Sequence, residues 1–430
     1  MNRNAVTLAT DSAVTLTVRG SEKIYNSADK LFELSDRDPL GIMVYNNLEY
    51  MGIALEVAIK QFRGKSLHYP DVPSAAQAFF EYLLNELRPN DDLQKQHAKS
   101  IIYELLFDIR ARFERRATRE FEQNQRDSSK LNPSAIFTEV VKKRISELSE
   151  RSVAECFSDI PETAILEFYS ATIGEAIKDH FDDLPLDDEQ TALLKETAVL
   201  LLHRNEPSEA FTGLVFAGFG KEETFPSLVA YKTDGVILGK IKKIETDRET
   251  TNRTEVTGKI LPFAQREMVD RFLYGIDPAF ENAIERYVAT AVEATGEALI
   301  SLLPKGTRGA TKQKLRRALS GGSQSAATQW REKVIPLYKG RFMREVQDMI
   351  FLMPKQELAT LAQELINLTS VKRKFSSGKE SVGGPIDVAV ISRIDGFVWV
   401  RRKHYFDPRL NPRYFHRKFG AGSVPHEEAK

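Results

Sequence analysis

The sequence predicts a mixed α/β fold in which a sheet core is assembled from separated stretches of chain and interrupted by long helical blocks. Two observations carry this. Strand-type runs cluster in three regions, residues 6–47, 211–262 and 386–402, where β-branched and apolar residues are bounded by glycine and proline turns. Between the first two regions, from 74 to 205, glycine is reduced to Gly174 and apolar residues recur at helical spacing. None of the three strand regions can close a core alone, so they must meet in space, with the helical blocks as insertions.

Composition narrows the class. A chain of 430 residues can bury one large core or two to three domains. Lys+Arg and Asp+Glu both total 61, so the overall basic footprint of a nucleic-acid binder is missing. The single cysteine, Cys156, excludes an intrachain disulfide framework and a cysteine-rich metal site, and it reads as a small apolar side chain. Met1-Asn-Arg-Asn shows no secretory signal and no apolar run reaches membrane-spanning length, which leads us to expect a cytoplasmic protein. No motif calls for a cofactor or a metal. Asp182, Asp183, Asp187, Asp188 and Glu189 crowd one loop, but they fit helix-start acids better than a calcium loop.

Taken in order, the first run (Val6 to Thr15) is extended, and Arg19-Gly20-Ser21 turns it into a second extended piece. After Asp38-Pro39, Leu40 to Tyr45 is continuously apolar and reads as a strand buried on both faces. These three make a sheet nucleus. Residues 48–62 follow with helical spacing. Helices are expected over 75–87, 93–122, 133–149, 161–179 and 187–203, the second with a charged stripe read as a solvated face. Residues 211–217 form a strand with a tight exit at Gly218-Phe-Gly220, too short for a phosphate loop. Residues 227–231 and 236–244 are strands split by a hairpin turn at Lys232-Thr-Asp-Gly235, and 245–255 is a polar loop. Helices over 263–274 and 278–303, a glycine-rich basic connector over 305–325, and helices over 343–353 and 354–374 come next. The closing hairpin pairs 386–392 with 397–402 about Asp395-Gly396. We divide the chain into core residues 1–73, a helical insertion 74–205, core residues 206–277, a helical and loop insertion 278–353, the last helix and closing hairpin 354–402, and a basic aromatic tail 403–430.

The ordered succession of these runs resembles the proteasome β-subunit group of N-terminal-nucleophile hydrolases. Val6 to Thr15, with Asp11-Ser12-Ala13, resembles that family's second strand. Asp29-Lys30-Leu-Phe resembles its lysine-bearing strand, and Gly41-Ile-Met-Val-Tyr45 the central strand after it. Residues 48–62 resemble its first long helix, Leu214-Val-Phe-Ala-Gly218 its "valine-ala-gly" strand, and Gly383 to Ile391 with Asp395-Gly396 its closing hairpin. The likeness covers about half of the chain. It implies a four-layer αββα sandwich with large helical insertions, and an amide hydrolase, most naturally of peptides. It further implies oligomeric assembly, partner proteins, and no cofactor.

In that family a chain-terminal threonine is the nucleophile and its α-amine the base, while a charged lysine lowers the nucleophile's pKa and an acid orients the lysine. The resemblance makes Lys30 the lysine and Asp11 the acid. Without a nucleophile, the two read as a plain ion pair. Two departures stand out. The strand that should carry the nucleophile is missing ahead of Val6, and Thr257-Gly-Lys replaces the serine-glycine-serine element before the third helix. Glu380 and Ser381 stand at shifted spacing for the family's acid and serine. Either an upstream strand bears the nucleophile or the protein is an inactive scaffold or partner-binding subunit.

A different class of function comes from the tail. Between Arg401 and Phe419 basic residues interleave with aromatics, a pattern that can stack on bases and neutralise phosphates. The expectation is instead a tail packed across its own domain or a neighbouring subunit, with charged heads in water and nucleic-acid contact a minor alternative.

Overall fold

The structure, a computed structural model, describes residues 1–18, 21–123, 131–254, 258–264, 266–304, 306–375 and 383–419. Strands β1 Ala5–Thr10, β2 Val14–Val18, β3 Ser21–Tyr25, β4 Leu31–Glu33, β5 Leu40–Asn46, β6 Glu49–Tyr50 and β7 Ile53–Ala54 come first. Helices α1 Leu55–Arg63, α2 Val72–Asn85, α3 Asp91–Gln123, α4 Pro133–Ser149, α5 Glu162–His180 and α6 Asp188–His203 follow. Then come β8 Thr212–Gly218, β9 Ser227–Ile237, β10 Lys240–Thr250, α7 Glu267–Tyr274, α8 Pro278–Ser301, α9 Gly309–Gln329, α10 Ile335–Leu352 and α11 Lys355–Lys374. The chain closes with β11 Asp387–Ser392, β12 Gly396–Arg401 and α12 Pro412–Phe419. It divides into two compact units: unit 1 is Met1–Ala28, Asn252–Val390 and Trp399–Lys430, and unit 2 is Asp29–Thr251 and Ile391–Val398.

Unit 2 is built on an antiparallel sheet of order β10-β9-β8-β5-β4. Register explains its inner face. Ile42 pairs with Phe216 and Phe216 with Val229, and the next row joins Val44, Leu214 and Tyr231, so one face of three strands is apolar throughout. Helix α1 lays Leu55, Ala58, Ile59 and Phe62 on this core, and α2 adds Val72, Ala75, Ala76, Phe79, Phe80 and Leu83, each set at helical spacing. Ring pairs Phe79–Phe216 at 5.8 Å and Phe80–Tyr231 at 5.2 Å lock α2 to the sheet. The residues between, Val215, Ala217 and Ala230, point the other way and are also buried, which is why these strands are apolar without alternation. Helices α3 to α6 share a second apolar core, with Ile101, Leu105, Ile173 and Leu202 at its centre.

Unit 1 holds the three-stranded sheet of order β1-β11-β12, with the tip of the β11–β12 hairpin counted in unit 2. Ala5 of β1 and Val388 and Val390 of β11 pack with Leu358 and Ala359 of α11 and Ile350 of α10. Helices α8 and α9 pack along each other but bury little: among their described residues α8 buries the side chain of Ile300 near its end, and α9 that of Ser323.

Several sequence expectations need correction. The opening strands do not form one nucleus: β1 joins β11, β2 pairs with β3, and β4 and β5 enter the sheet of unit 2. The stretch 48–54 is the short β6–β7 pair, and the helix begins at Leu55. Strand β9 continues through 232–235, and the hairpin turns at Leu238-Gly239, both at positive φ. The bundle fixes that turn, since Leu238 N–H donates to the Tyr169 hydroxyl at 3.1 Å and Gly239 N–H to Gln94 Oε1 at 2.9 Å. Asp234-Gly235 is a bulge facing Lys242, with Gly235 at φ +76°. Residues 245–250 continue β10, helix α7 begins at Glu267, and the glycine-rich connector is helix α9. The turn at Arg19-Gly20, Thr257, Glu380 and Ser381 lie outside the described residues.

Candidate functional site

Asp11 stands where β1 ends, and its surroundings are built from backbone. One carboxylate oxygen, Oδ2, accepts from Ala13 N–H at 3.2 Å and from Gly383 N–H at 3.1 Å. Ser12 beside it is fully buried. Its hydroxyl donates to Pro385 O at 2.6 Å, its N–H to Gly383 O at 3.2 Å, and its own carbonyl accepts from Ala28 N–H at 3.1 Å. The segment 11–13 is thereby stitched to 383–385 just ahead of β11. Gly384 is required there: at φ +76° its missing Cβ would stand 2.8 Å from Asn26 Cβ and 3.0 Å from Asn26 O. The entry to β1 is held as firmly. Asn2 is fully buried; its Nδ2 donates to Ile350 O at 3.0 Å and Met353 O at 2.9 Å, and its Oδ1 accepts from Asn4 N–H at 3.0 Å.

Lys30 belongs to unit 2, immediately before β4, and its carbonyl accepts from Val44 N–H at 2.8 Å. Asp11 belongs to unit 1. Both side chains are half-buried. Cys156 lies in a 3-10 turn, Glu155–Phe157, and burial pushes its thiol up to about 11 despite Lys242 nearby, which makes it a poor nucleophile. The crowded acids have structural partners. Asp187 caps α6 in a reciprocal box with Gln190, and Asp183 takes a two-pronged ion pair from Arg110. Among the described residues no group of three or more His, Cys, Asp or Glu side chains is placed to hold a metal.

The turn after β8 is sealed rather than open. A Cβ on Gly218 would lie 2.1 Å from Pro39 O, and one on Gly220 would lie 2.3 Å from Asp71 Cα. Glu223 fills the space next to them, accepting from Gly220 N–H at 2.7 Å and Val72 N–H at 3.1 Å. Arg393 donates to Gly220 O and Lys221 O, both at 2.7 Å. These glycines therefore serve close packing, not a phosphate.

Sequence reasoning missed one constellation. Lys242 and Asp234 have side chains 1% exposed each and lie 2.9 Å apart. Lys242 Nζ also donates to Leu201 O and Glu206 O at 2.7 Å, while Asp234 Oδ1 accepts from the Ser208 hydroxyl at 2.7 Å and the Ser208 N–H at 3.0 Å. With these bonds made, the cluster is a clasp between β9, β10 and the end of α6. An Asp-Gly inside a strand-like run was the available signal. A cleft of about 790 Å³ in unit 1 is also new; Asp270 at its wall is buried, which raises its pKa, and its Oδ1 has no hydrogen-bond partner.

No described helix is long and apolar enough to cross a membrane. No protein family, curated protein or solved structure matches the chain.

Proposed function

We propose that the protein is an amide-bond hydrolase of the N-terminal-nucleophile type acting on peptides, or an inactive homologue of one, on a four-layer αββα sandwich. The Asp11 junction carries this reading. Its carboxylate is fixed by two backbone amides at a strand exit, and the resemblance makes it the acid that orients Lys30, whose charge would hold a nucleophile's pKa down. No described residue is assigned the nucleophile. The architecture is compatible: α1 and α2 cover one face of the five-stranded sheet, and α11 covers the three-stranded one, two helix-backed sheets of the kind such a sandwich requires. The test is hydrolysis of a panel of fluorogenic peptides by protein isolated from its natural source. Turnover lost in Asp11→Ala and in Lys30→Ala supports the reading; turnover indifferent to both removes these residues from the site.

One observation favours a second reading, a scaffold or partner-binding subunit. Tyr287, Leu302, Leu337 and Leu352 on or beside α8 and α10 are large apolar side chains that are 73%, 80%, 80% and 77% exposed, which a partner surface would cover. On this reading the protein is a homo-oligomer or a subunit of a larger assembly. Sedimentation of Leu302→Glu/Leu337→Glu as a smaller species than the parent supports it, and identical sedimentation counts against it.

A further inference from the structure

The described part of the tail leaves most of its basic side chains exposed. Residues 399–419 carry seven Lys and Arg against one acid, Asp407, an excess of six positive charges in a chain whose net charge is zero. This stretch is folded. Phe406 is the hub, with ring centroids of His404, Tyr405 and Tyr414 at 5.6, 4.9 and 5.0 Å. Asp407 ties the following turn, its carboxylate accepting from Arg409 N–H at 2.9 Å and its carbonyl from Asn411 Nδ2 at 3.0 Å. Upstream, Lys403 N–H donates to Asp387 Oδ1 at 2.8 Å, and the Arg402 guanidinium lies over the Trp399 ring at 4.7 Å. Held in this frame, Tyr405 is 94% exposed, and Arg401, Arg402, Arg409 and Arg413 in the same stretch are exposed as well.

We propose that this module binds single-stranded nucleic acid, with Tyr405 stacking on an unpaired base and Arg401 and Arg402 neutralising the adjoining phosphates. Every unpaired base offers a π-face to a bare ring, whereas a duplex hides its faces, so an exposed tyrosine in a stretch rich in exposed arginines suits a single strand. A membrane surface fits less well. It needs a continuous apolar face, and here the exposed Tyr405 and Leu410 are separated by Asp407 and a half-buried Phe406. The local charge resolves the apparent conflict with the neutral whole, because counterion release depends on the phosphates contacted and not on net charge.

The test uses the full chain and a fluorescein-labelled oligothymidylate of about 20 nucleotides, longer than the roughly 4–16 that one such surface covers. Anisotropy titrations from about 50 to 200 mM salt are expected to show binding that weakens as salt rises. Arg401→Ala/Arg402→Ala flattens the log–log salt slope by about 1.4, two contacts at about 0.7 each. Tyr405→Ala weakens binding about tenfold or more with the slope kept, and Tyr405→Phe binds like the parent. Because Tyr405 is exposed, an unchanged melting curve shows that the variant folds. Absence of oligonucleotide binding at low salt, or binding indifferent to Tyr405→Ala, overturns the proposal. So does co-sedimentation with phosphatidylserine vesicles in place of oligonucleotide binding, which would assign the surface to membranes.

Discussion

Replacing Lys242 by methionine leaves the Asp234 carboxylate buried with one cation gone. Such a break costs about 3–5 kcal/mol, so Lys242→Met is expected to lower the urea midpoint sharply, while Asp234→Asn/Lys242→Met, which removes the stranded charge, recovers part of the loss. Asp11→Ala removes the acceptor for Ala13 and Gly383 N–H and should cost about 1–3 kcal/mol; Asp11→Asn, which keeps an oxygen, should cost less in the same melt. His97 sets a pH dependence. Burial holds its pKa below the ordinary 6.5, although the hydrogen bond to Asp234 O at 2.8 Å works the other way. The folded state then takes up fewer protons than the unfolded state as pH falls. Its contribution to stability is full above about pH 6.5 and drains as pH drops through the lowered folded value. The loss in urea midpoint between about pH 7.5 and pH 5 should therefore shrink in His97→Gln. At this scale the sequence showed Asp11 and Lys30 as residues at strand ends, because a strand end is a local pattern. It did not show Asp234 and Lys242 as partners, because a bulge and a long lysine bring them together only after β9, β10 and α6 are in place.

Elements with strong period were legible almost to the residue. The helix expected over 133–149 is α4, and that over 187–203 is α6 less one residue, because Pro133 and the Asp187–Gln190 box mark their starts chemically. Elements decided by their neighbours were not. The β9–β10 turn sits at Leu238-Gly239, where the helical bundle binds it, and not at the Asp234-Gly235 that turn chemistry favours. Helix α9 was hidden because Gly321 and Gly322 read as connector. Both are exposed with open space where a Cβ would stand, so Gly322→Ala should stabilise a helix by about 0.5–1 kcal/mol and raise the melting temperature; a connector would gain nothing comparable. Gly218→Ala should do the reverse, since φ is +140° and Pro39 O blocks the Cβ; a loss well above 1 kcal/mol is expected in chemical unfolding.

For the whole molecule, the mixed α/β class was readable because strand texture and helical texture alternate in long blocks. Grouping was harder. The two units are each assembled from discontinuous segments, and β1 finds its neighbour β11 more than 370 residues away, a pairing that no local pattern encodes. The resemblance to proteasome-type hydrolases rests on that order of elements and on Asp11 and Lys30, which makes catalysis the claim most exposed to experiment. The direct measurement is intact-mass analysis of the protein from its natural source after treatment with a β-lactone probe for N-terminal nucleophiles, with peptide hydrolysis followed in parallel. The account predicts a single covalent adduct and turnover reduced about a hundredfold or more in a stably folded Lys30→Ala. A folded protein that takes no adduct and cleaves no peptide would contradict the hydrolase and leave the partner-binding subunit.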